Sequence, residues 1–462
     1  MVLATIRFAP HGGITLLTRF QKVYFGMARL GPSMMLDMLD LSTTLFYFSI
    51  QALPAIFTGT AIALSYLSII FSEVTFGNLS DRIPTKRWGR RKPFVMVGAP
   101  LMAASFLLVF SPHLFIAEGN LIGLFFYATI SLSLFKVFYG MTMTPFQSWM
   151  PELTEPEERP AVSSWQNIAN FLGFVIGTFG SALLAVESLG WGLPPEILYM
   201  ILAFIAIQLL GFLPSLRGLH QEGKFIPQPN IRKDLRKALE NRDFVGWLVA
   251  QGLLSVGISM VVRTAFPYIN DYLTFGVTEF IIFGVELLSV VVIFFLIYQV
   301  AIRKKGKRFT LQLSMMLTVI SLPFTLFITT SFGGFTLLAF VGAGVAGYYL
   351  FPYIVYADFA HKDEIITGEG RAGFYTSFPS IPLNGMNAFS AFLWGFIFEL
   401  PKIVPVPSDP LADPLSLGYN IWGPIAALFI FLSVLVLFKV DIDPDFDMLK
   451  EEYATSEPEL ET

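Results

Sequence analysis

Twelve runs of about twenty apolar residues mark this 462-residue chain, and each is long enough to cross the hydrocarbon core of a bilayer as a helix. In the first half they fall at about 30–52, 57–79, 93–112, 120–145, 162–185 and 197–215. In the second half they fall at about 244–268, 277–301, 309–330, 334–357, 372–399 and 417–439. Lipid offers no partner to an open backbone, so a spanning segment is a helix or a strand of a closed barrel. These runs lack the apolar–polar alternation of barrel strands, which leaves helices. Composition agrees, because 14% of the residues are charged, against about 25% in soluble domains. That is too little charge to clothe a water-facing surface of this size. The expected fold is an all-α membrane protein with twelve transmembrane helices.

The basic residues are spread unevenly. If the N-terminus, the even-to-odd connections and the C-terminus share one side, that side collects 27 of the 30 Lys and Arg. The other side receives Lys402, while Lys136 and Arg263 fall inside spans. Basic connections stay in the cytoplasm, so both termini are predicted to be cytoplasmic in a multi-pass protein of the cell membrane, with the lipid bilayer as its surroundings. Residues 1–30 lack an apolar core followed by a small-residue cleavage site, so no cleavable signal peptide is expected. The absence of cysteine removes disulfides and thiolate metal sites. His11, His113, His220 and His361 lie in or near the connections and the N-terminal segment, so no metal site and no cofactor is expected. The net charge of −4 gives no reason to expect nucleic acid as a partner.

One connection is more specific than the rest. Gly77–Pro93 reads G-N-L-S-D-R-I-P-T-K-R-W-G-R-R-K-P and crowds Arg82, Lys86, Arg87, Arg90, Arg91 and Lys92 between two spans. Asp81 follows Gly77 by about one helical turn, which lets it hold the end of span 2 against a neighbour. The segment resembles the G-x-x-x-D-R…G-R-R signature between the second and third helices of the major facilitator superfamily. Six residues separate D-R from G-R-R, and this longer form with W-G-R-R-K-P resembles the glycoside-pentoside-hexuronide cation symporters and the related sucrose transporters. Pro151–Arg159, Thr367–Arg371 and Asn241–Phe244 resemble the same family. The resemblance implies that Gly77, Asp81, Arg82, Gly89, Arg90 and Arg91 form a cytoplasmic gating motif rather than a solute site.

The halves echo one another. Span 8 ends in Arg303-Lys304-Lys305-Gly306-Lys307-Arg308, and acidic turns leading to an Arg follow both span 4 and span 10. The longest internal polar segment, Arg217–Arg242, separates six spans from six. The expected layout is an N-terminal segment 1–29, a six-helix bundle 30–215, a linker 216–243, a second bundle 244–439 and an acidic tail 440–462. Such parallel repeats place the solute near the midplane between them. The spelling Gly342-x-Gly344-x-x-Gly347 lies inside an apolar span with no strand before it, so it reads as helix packing and not as a dinucleotide site. Gly173 and Gly177 suggest a second packing face on span 5.

An ionised side chain near the bilayer centre costs about 2.5–3.5 kcal/mol on insertion scales, so charges kept there call for a use. Asp37 and Asp40 are three residues apart on span 1 and share a face, continued by Thr44 and Tyr47. The resemblance gives Glu73 the place of the second of two acids associated with cation coupling; the first, near Ile69, is missing. Lys136 sits mid-span, too far from either surface to snorkel, and needs a carboxylate or must lose its proton. Asp37, Asp40 and Glu73 are its candidate partners. The four residues form the expected coupling set for H+ or Na+, with Lys136 as a switch; the bland alternative is a static ion pair. Arg263 lies toward the outer end of span 7, where it snorkels, pairs with Glu286 on span 8, or meets the solute.

Several positions depart from the sugar symporters. Relative to that family, Gln147 stands in place of an aromatic, Gln166 in place of an Arg and Asn384 in place of a Lys. Gln147, Gln166, Asn170, Arg263 and Asn384 are nonetheless the expected solute contacts, and Trp149 or Trp165 offers a ring to stack on a pyranose. The expected function is alternating-access symport of a sugar, glycoside or similar small polar solute by a monomer. The rivals are a passive facilitator or a drug and amphiphile exporter of the same fold, and a non-transporting solute sensor. A membrane enzyme would need a nucleophile with a base, or a metal cluster, at the membrane face; the sequence offers neither.

Overall fold

The computed structural model describes residues 17–82, 88–154, 158–186, 191–219, 239–367, 378–409 and 411–444, with Arg236, Tyr375, Phe446, Met448 and Leu449 besides. Most of the expected N-terminal segment, linker and tail therefore lies outside the described residues. A short helix, α1 (Arg19–Met27), opens on a capping box in which the Thr18 hydroxyl accepts from Gln21 N–H and the Gln21 side chain accepts from Thr18 N–H. The spans follow as α2 (Leu30–Thr44), α3 (Ala55–Arg82), α4 (Lys92–Val109), α5 (Leu121–Leu153), α6 (Arg159–Val186) and α7 (Pro195–Gly218). The second six are α8 (Arg242–Pro267), α9 (Val277–Lys305), α10 (Lys307–Ser321), α11 (Ser331–Thr367), α12 (Ser380–Phe398) and α13 (Gly418–Leu437). A two-residue strand pairing, β1 (Lys402–Val404) with β2 (Leu415–Ser416), closes the α12–α13 connection.

Helices α3 to α13 are each long and apolar enough to cross a membrane, and α2 gains that length through a π turn at Leu45–Ile50. The helices α5 and α11 run past the ends expected from apolar counting, to Leu153 and Thr367. Counting apolar residues finds where lipid stops, whereas a helix continues into water as long as its backbone bonds do. Span 11 is shorter than expected and starts at Ser380, after Pro379. The end of the bundle carrying residues 17, 219 and 444 is here the basic end; the opposite one is the far end.

Lipid tails are as apolar as leucine, so helices associate in a membrane through close packing. Small residues supply it. The helix pair α3 and α12 touches where a Cβ on Gly59 would come 2.8 Å from Gly395 Cα. Gly173 and Gly177 of α6 pack on α2 as expected, with Ser33, Met34 and Met38 inside the space a side chain would need. Gly344 and Gly347 of α11 take the hydroxyls of Thr318 and Ser314 of α10 in the same way, so the G-x-G-x-x-G spelling serves helix packing. The apolar core falls into two clusters, one centred on Phe106, Phe135, Phe146 and Trp149 and one on Trp247, Tyr298, Trp394 and Tyr419. The clusters meet along α3–α12, α2–α8 and α6–α9. Large apolar side chains such as Phe126, Leu296 and Phe332 face outward, which suits a surface solvated by lipid.

The first helix of each half ends at the far end in the same unusual way. Leu45–Ile50 and Tyr268–Tyr272 are both π turns. Gln51 N–H donates to Phe46 O at 2.9 Å and Leu273 N–H donates to Tyr268 O at 3.0 Å. Each turn is followed by a non-glycine residue in the left-handed region, Ala52 (φ 53°) and Thr274 (φ 50°). The chain reversal is therefore repeated residue for residue.

Candidate functional site

Three helices of the first half bring a charge cluster to mid-span. Lys136 of α5 donates through Nζ to Asp40 Oδ1 of α2 at 2.9 Å. Tyr66 of α3 donates its hydroxyl to the same oxygen, also at 2.9 Å. The ammonium lies 4.2 Å from the centroid of the Tyr66 ring. Lys136 keeps 4% of its side-chain surface and Asp40 32%, so the carboxylate is the partner that a mobile cation can reach. A buried ammonium is tolerated only with such compensation, and a cation–π contact adds up to about 2 kcal/mol where water is excluded.

The second half contributes Arg263 of α8. Its guanidinium stands 5.3 Å from the Tyr66 ring centroid, donating to Ser390 Oγ at 3.0 Å and to Asn387 O at 3.2 Å. It is buried, so it does not snorkel. Nor does it meet Glu286, whose Oε2 is buried without a hydrogen-bond partner. The helix α8 packs chiefly on α12 and α13 rather than on α9, which turns Arg263 away from Glu286. Tyr66 thus touches a lysine of its own half and an arginine of the other. A small cavity lies here, lined by Asp40, Thr43, Ser65, Tyr66 and Lys136 of the first half and reached from the second by Arg263, with room for water rather than for a sugar ring.

The remaining expected coupling residues lie apart from this pair. Asp37 is one turn nearer the basic end of α2, close enough to Asp40, Arg29 and Lys136 to feel their charges, with no hydrogen bond among the described residues. Glu73 is two turns from Tyr66 along α3, about 10 Å at 1.5 Å per residue. Its Oε2 accepts from the Ser380 hydroxyl of α12, and Asn384 Nδ2 donates to Ser380 Oγ at 3.2 Å. Of the three carboxylates considered for Lys136, the one in contact is Asp40.

The expected solute contacts divide. Gln147 is half-buried and makes no hydrogen bond among the described residues. Gln166 is buried beside α1, its Nε2 without a partner. Asn170 is already engaged, its Oδ1 accepting from Ser33 Oγ at 2.7 Å and Arg29 Nε at 3.3 Å. Asn384 reaches Glu73 only through Ser380. Trp149 is fully buried beside Phe25 and Phe146, with Lys92 5.6 Å over its ring, and offers no stacking face. Trp165 packs its Cβ toward Gly26 of α1. The polar stripe on α2 ends early, because Tyr47 donates to Val109 O of α4. Ten residues on from Asp37 at about 100° each, it has rotated off that face.

In the Gly77–Arg91 segment, Gly89 has φ 74°, a conformation that favours glycine. Arg91 is buried and donates to Ser80 Oγ at 2.6 Å, tying the start of α4 to the last turn of α3. Arg90 is half-buried, and Gly77 leaves ordinary contact space to Thr144. The side chains of Asp81 and Arg82 lie outside the described residues.

Sequence reading missed Tyr66, Ser380 and Asp271. A tyrosine in an apolar helix carries no charge to mark it, although its mid-span position was a signal. Apolar counting ends span 7 at 268 and so puts Asp271 in a connection. The helix instead continues through the π turn, and Asp271 accepts from Ser49 of α2's own turn at 2.7 Å and from the hydroxyl of Tyr419.

Residues 24–443 match the family described as MFS/sugar transport protein. The chain is similar to the inner membrane symporter YicJ of Escherichia coli (strain K12), 28% identical over 36% of this chain and 34% of that protein. It is also similar to the uncharacterized symporter sll1374 of Synechocystis sp., 22% identical over 88% of this chain and 91% of that one. The chain thus spans about a third of the first relative and nine tenths of the second. Among solved structures, a bacterial homolog to the human lysosomal transporter Spinster, inward-facing and occupied, aligns with TM-score 0.67 and 11% identity over 91% of this chain and 96% of that chain. That likeness is one of fold.

Proposed function

The chain belongs to the MFS/sugar transport protein family of membrane transporters, and we propose that it is a cation-coupled symporter of a sugar, glycoside or similar small polar solute. The observation that carries this reading is the mid-span Asp40–Lys136 pair beside Tyr66 and Arg263. Lys136 occupies on Asp40 the place that a coupling cation would take. An arriving H+ or Na+ that neutralises Asp40 releases the ammonium toward the unpartnered Asp37 or toward solute hydroxyls. The bond from Tyr66 to Asp40 loses its charge assistance in the same event, which weakens the contact that relates Asp40 to Arg263. Cation occupancy in one half is thereby communicated to the other.

Glu73 contributes a second linkage. Its carboxylate holds Ser380 across the halves, and a cation bound there competes with that hydroxyl. Gln147, Arg263 and Asn384 supply donors to solute hydroxyls once the halves part; Gln166 and Asn170 need to leave their present surroundings first. The basic residues at one end support cytoplasmic termini in a cell-membrane protein, and the closing segment Gly77–Arg91 acts at that end as a latch.

A thermal-shift screen over sugars and glycosides, at two pH values and with or without sodium, tests this reading. The expected result is stabilisation by one class of sugar that depends on pH or on sodium. Stabilisation by amphiphiles alone, with none by any sugar, would move the assignment to an exporter of the same fold.

A further inference from the structure

We propose that Asp271 is the latch of the far gate, and that its hydrogen bond from Ser49 sets how much of the time this transporter is open at that end. The proposal rests on the transporter fold and on neither the solute nor the cation.

Ser49 and Asp271 are 222 positions apart, as are the two left-handed residues Ala52 and Thr274 that end the π turns. They are the same position in the two repeats. Two equivalent side chains that touch must sit beside the axis relating the halves, so this contact lies where the far ends converge. No covalent constraint links α2 to α8 there.

The carboxylate is held from both halves. Its Oδ2 accepts from Ser49 of the first half and from Tyr419 of the second, and its Oδ1 accepts from Asn270 at 2.7 Å. No Lys, Arg or His among the described residues faces it; its neighbours are these three donors and the Tyr272 ring stacked on Tyr419. The anion is therefore stabilised by hydrogen bonds alone. Next to it Phe48 wedges its ring against Trp394 at 5.3 Å, Phe398 at 6.0 Å and Tyr419 at 6.5 Å, so a ring of the first half is clasped by three of the second beside the half-buried polar contact. Opening the far end removes Ser49 and the wedge together while Tyr419 and Asn270 stay with Asp271. The Ser49 contact belongs to the closed state alone, so its loss shifts populations rather than simply loosening a helix.

The chain has no cysteine, so spin labels can be placed without background substitutions. One pair goes at Leu114 and Leu411, exposed in far-end connections of the two halves, and a second at Phe20 and Met448 at the basic end. Pulsed dipolar distances are compared for the parent protein, S49A, D271A and D271N. The expected result in S49A and D271A is a rise of about tenfold in the ratio of long to short far-end distances, the loss of one charge-assisted hydrogen bond, with basic-end distances shortening. The variant D271N, which can still accept from Ser49, should fall between. Unchanged far-end distances in S49A and D271A overturn the proposal. So does broadening of both pairs together, which marks a merely structural contact.

Discussion

Lys136 and Asp40 form an ion pair of 2.9 Å in the middle of the helix bundle, and the ammonium rather than the carboxylate is the buried member. That asymmetry makes the pair a candidate switch. A lysine sealed in protein cannot find another partner unaided, whereas a carboxylate open to the cavity can be reached by a competitor. Arg263, across Tyr66, belongs to the other half and has no carboxylate partner at hydrogen-bond distance among the described residues. Tyr66 is the side chain that touches both cations.

Replacing Lys136 by Ala is expected to abolish gradient-driven accumulation and to destabilise the fold by about 1.5–3 kcal/mol, because Asp40 loses its cation but keeps Tyr66 and its opening to the cavity. The double variant K136A/D40N removes both charges and should regain most of the stability without regaining accumulation. Thermal unfolding in detergent and uptake in vesicles read the two effects separately. Accumulation unchanged by K136A would leave only a static ion pair.

Tyr66→Phe keeps the ring over Lys136 and removes the hydroxyl that donates to Asp40. A loss of about 1.5–3 kcal/mol in stability is expected for that charge-assisted bond, with a slower transport cycle. Tyr66→Ala removes the ring as well and should cost more, since both cations lose their aromatic contact. Equal stability of the two variants would show that the ring contributes nothing.

Glu73→Gln preserves an acceptor for Ser380 but not the charge. If Glu73 carries a coupling cation, this variant exchanges solute across the membrane yet fails to concentrate it. Ser380→Ala, by contrast, leaves the charge but removes the linkage, and should lower accumulation less than E73Q does. Counterflow and net uptake on the same vesicles distinguish these results, and full accumulation by E73Q would remove Glu73 from the coupling set.

Asn170→Ala should act on stability rather than on solute affinity, because its carbonyl oxygen already accepts from Ser33 and Arg29. The expected cost is about 1–3 kcal/mol from the donors left unpaired. Gln147→Ala, at a residue with no partner to lose, should raise the half-saturating solute concentration with little change in melting temperature.

The helices were legible because a bilayer demands long apolar runs, and the small-residue faces at Gly173, Gly177, Gly344 and Gly347 were legible because close packing demands their absence of side chains. Lys136 was conspicuous for its charge, and its choice among three carboxylates was not. That choice depends on the rotation of α2, α3 and α5 about their axes, which apolar counting does not fix. The surroundings of Arg263 stayed open between lipid headgroups, Glu286 and the solute for the same reason. The π turns escaped because no residue type marks an extra residue in a helical turn, and Asp271 was lost with them. Asn170 looked available to a solute because its contacts with Ser33 and Arg29 depend on how α2 and α6 are rotated against each other, which hydropathy does not fix.

On the proposed mechanism, a cation arriving at the Asp40–Lys136 centre drives solute movement. The most direct measurement is solute accumulation in proteoliposomes under an imposed proton or sodium gradient. Accumulation above the outside concentration under one of the two gradients, collapsing when that gradient is dissipated, is the predicted result. Flux of the same size with and without either gradient, never exceeding equilibration, would contradict it.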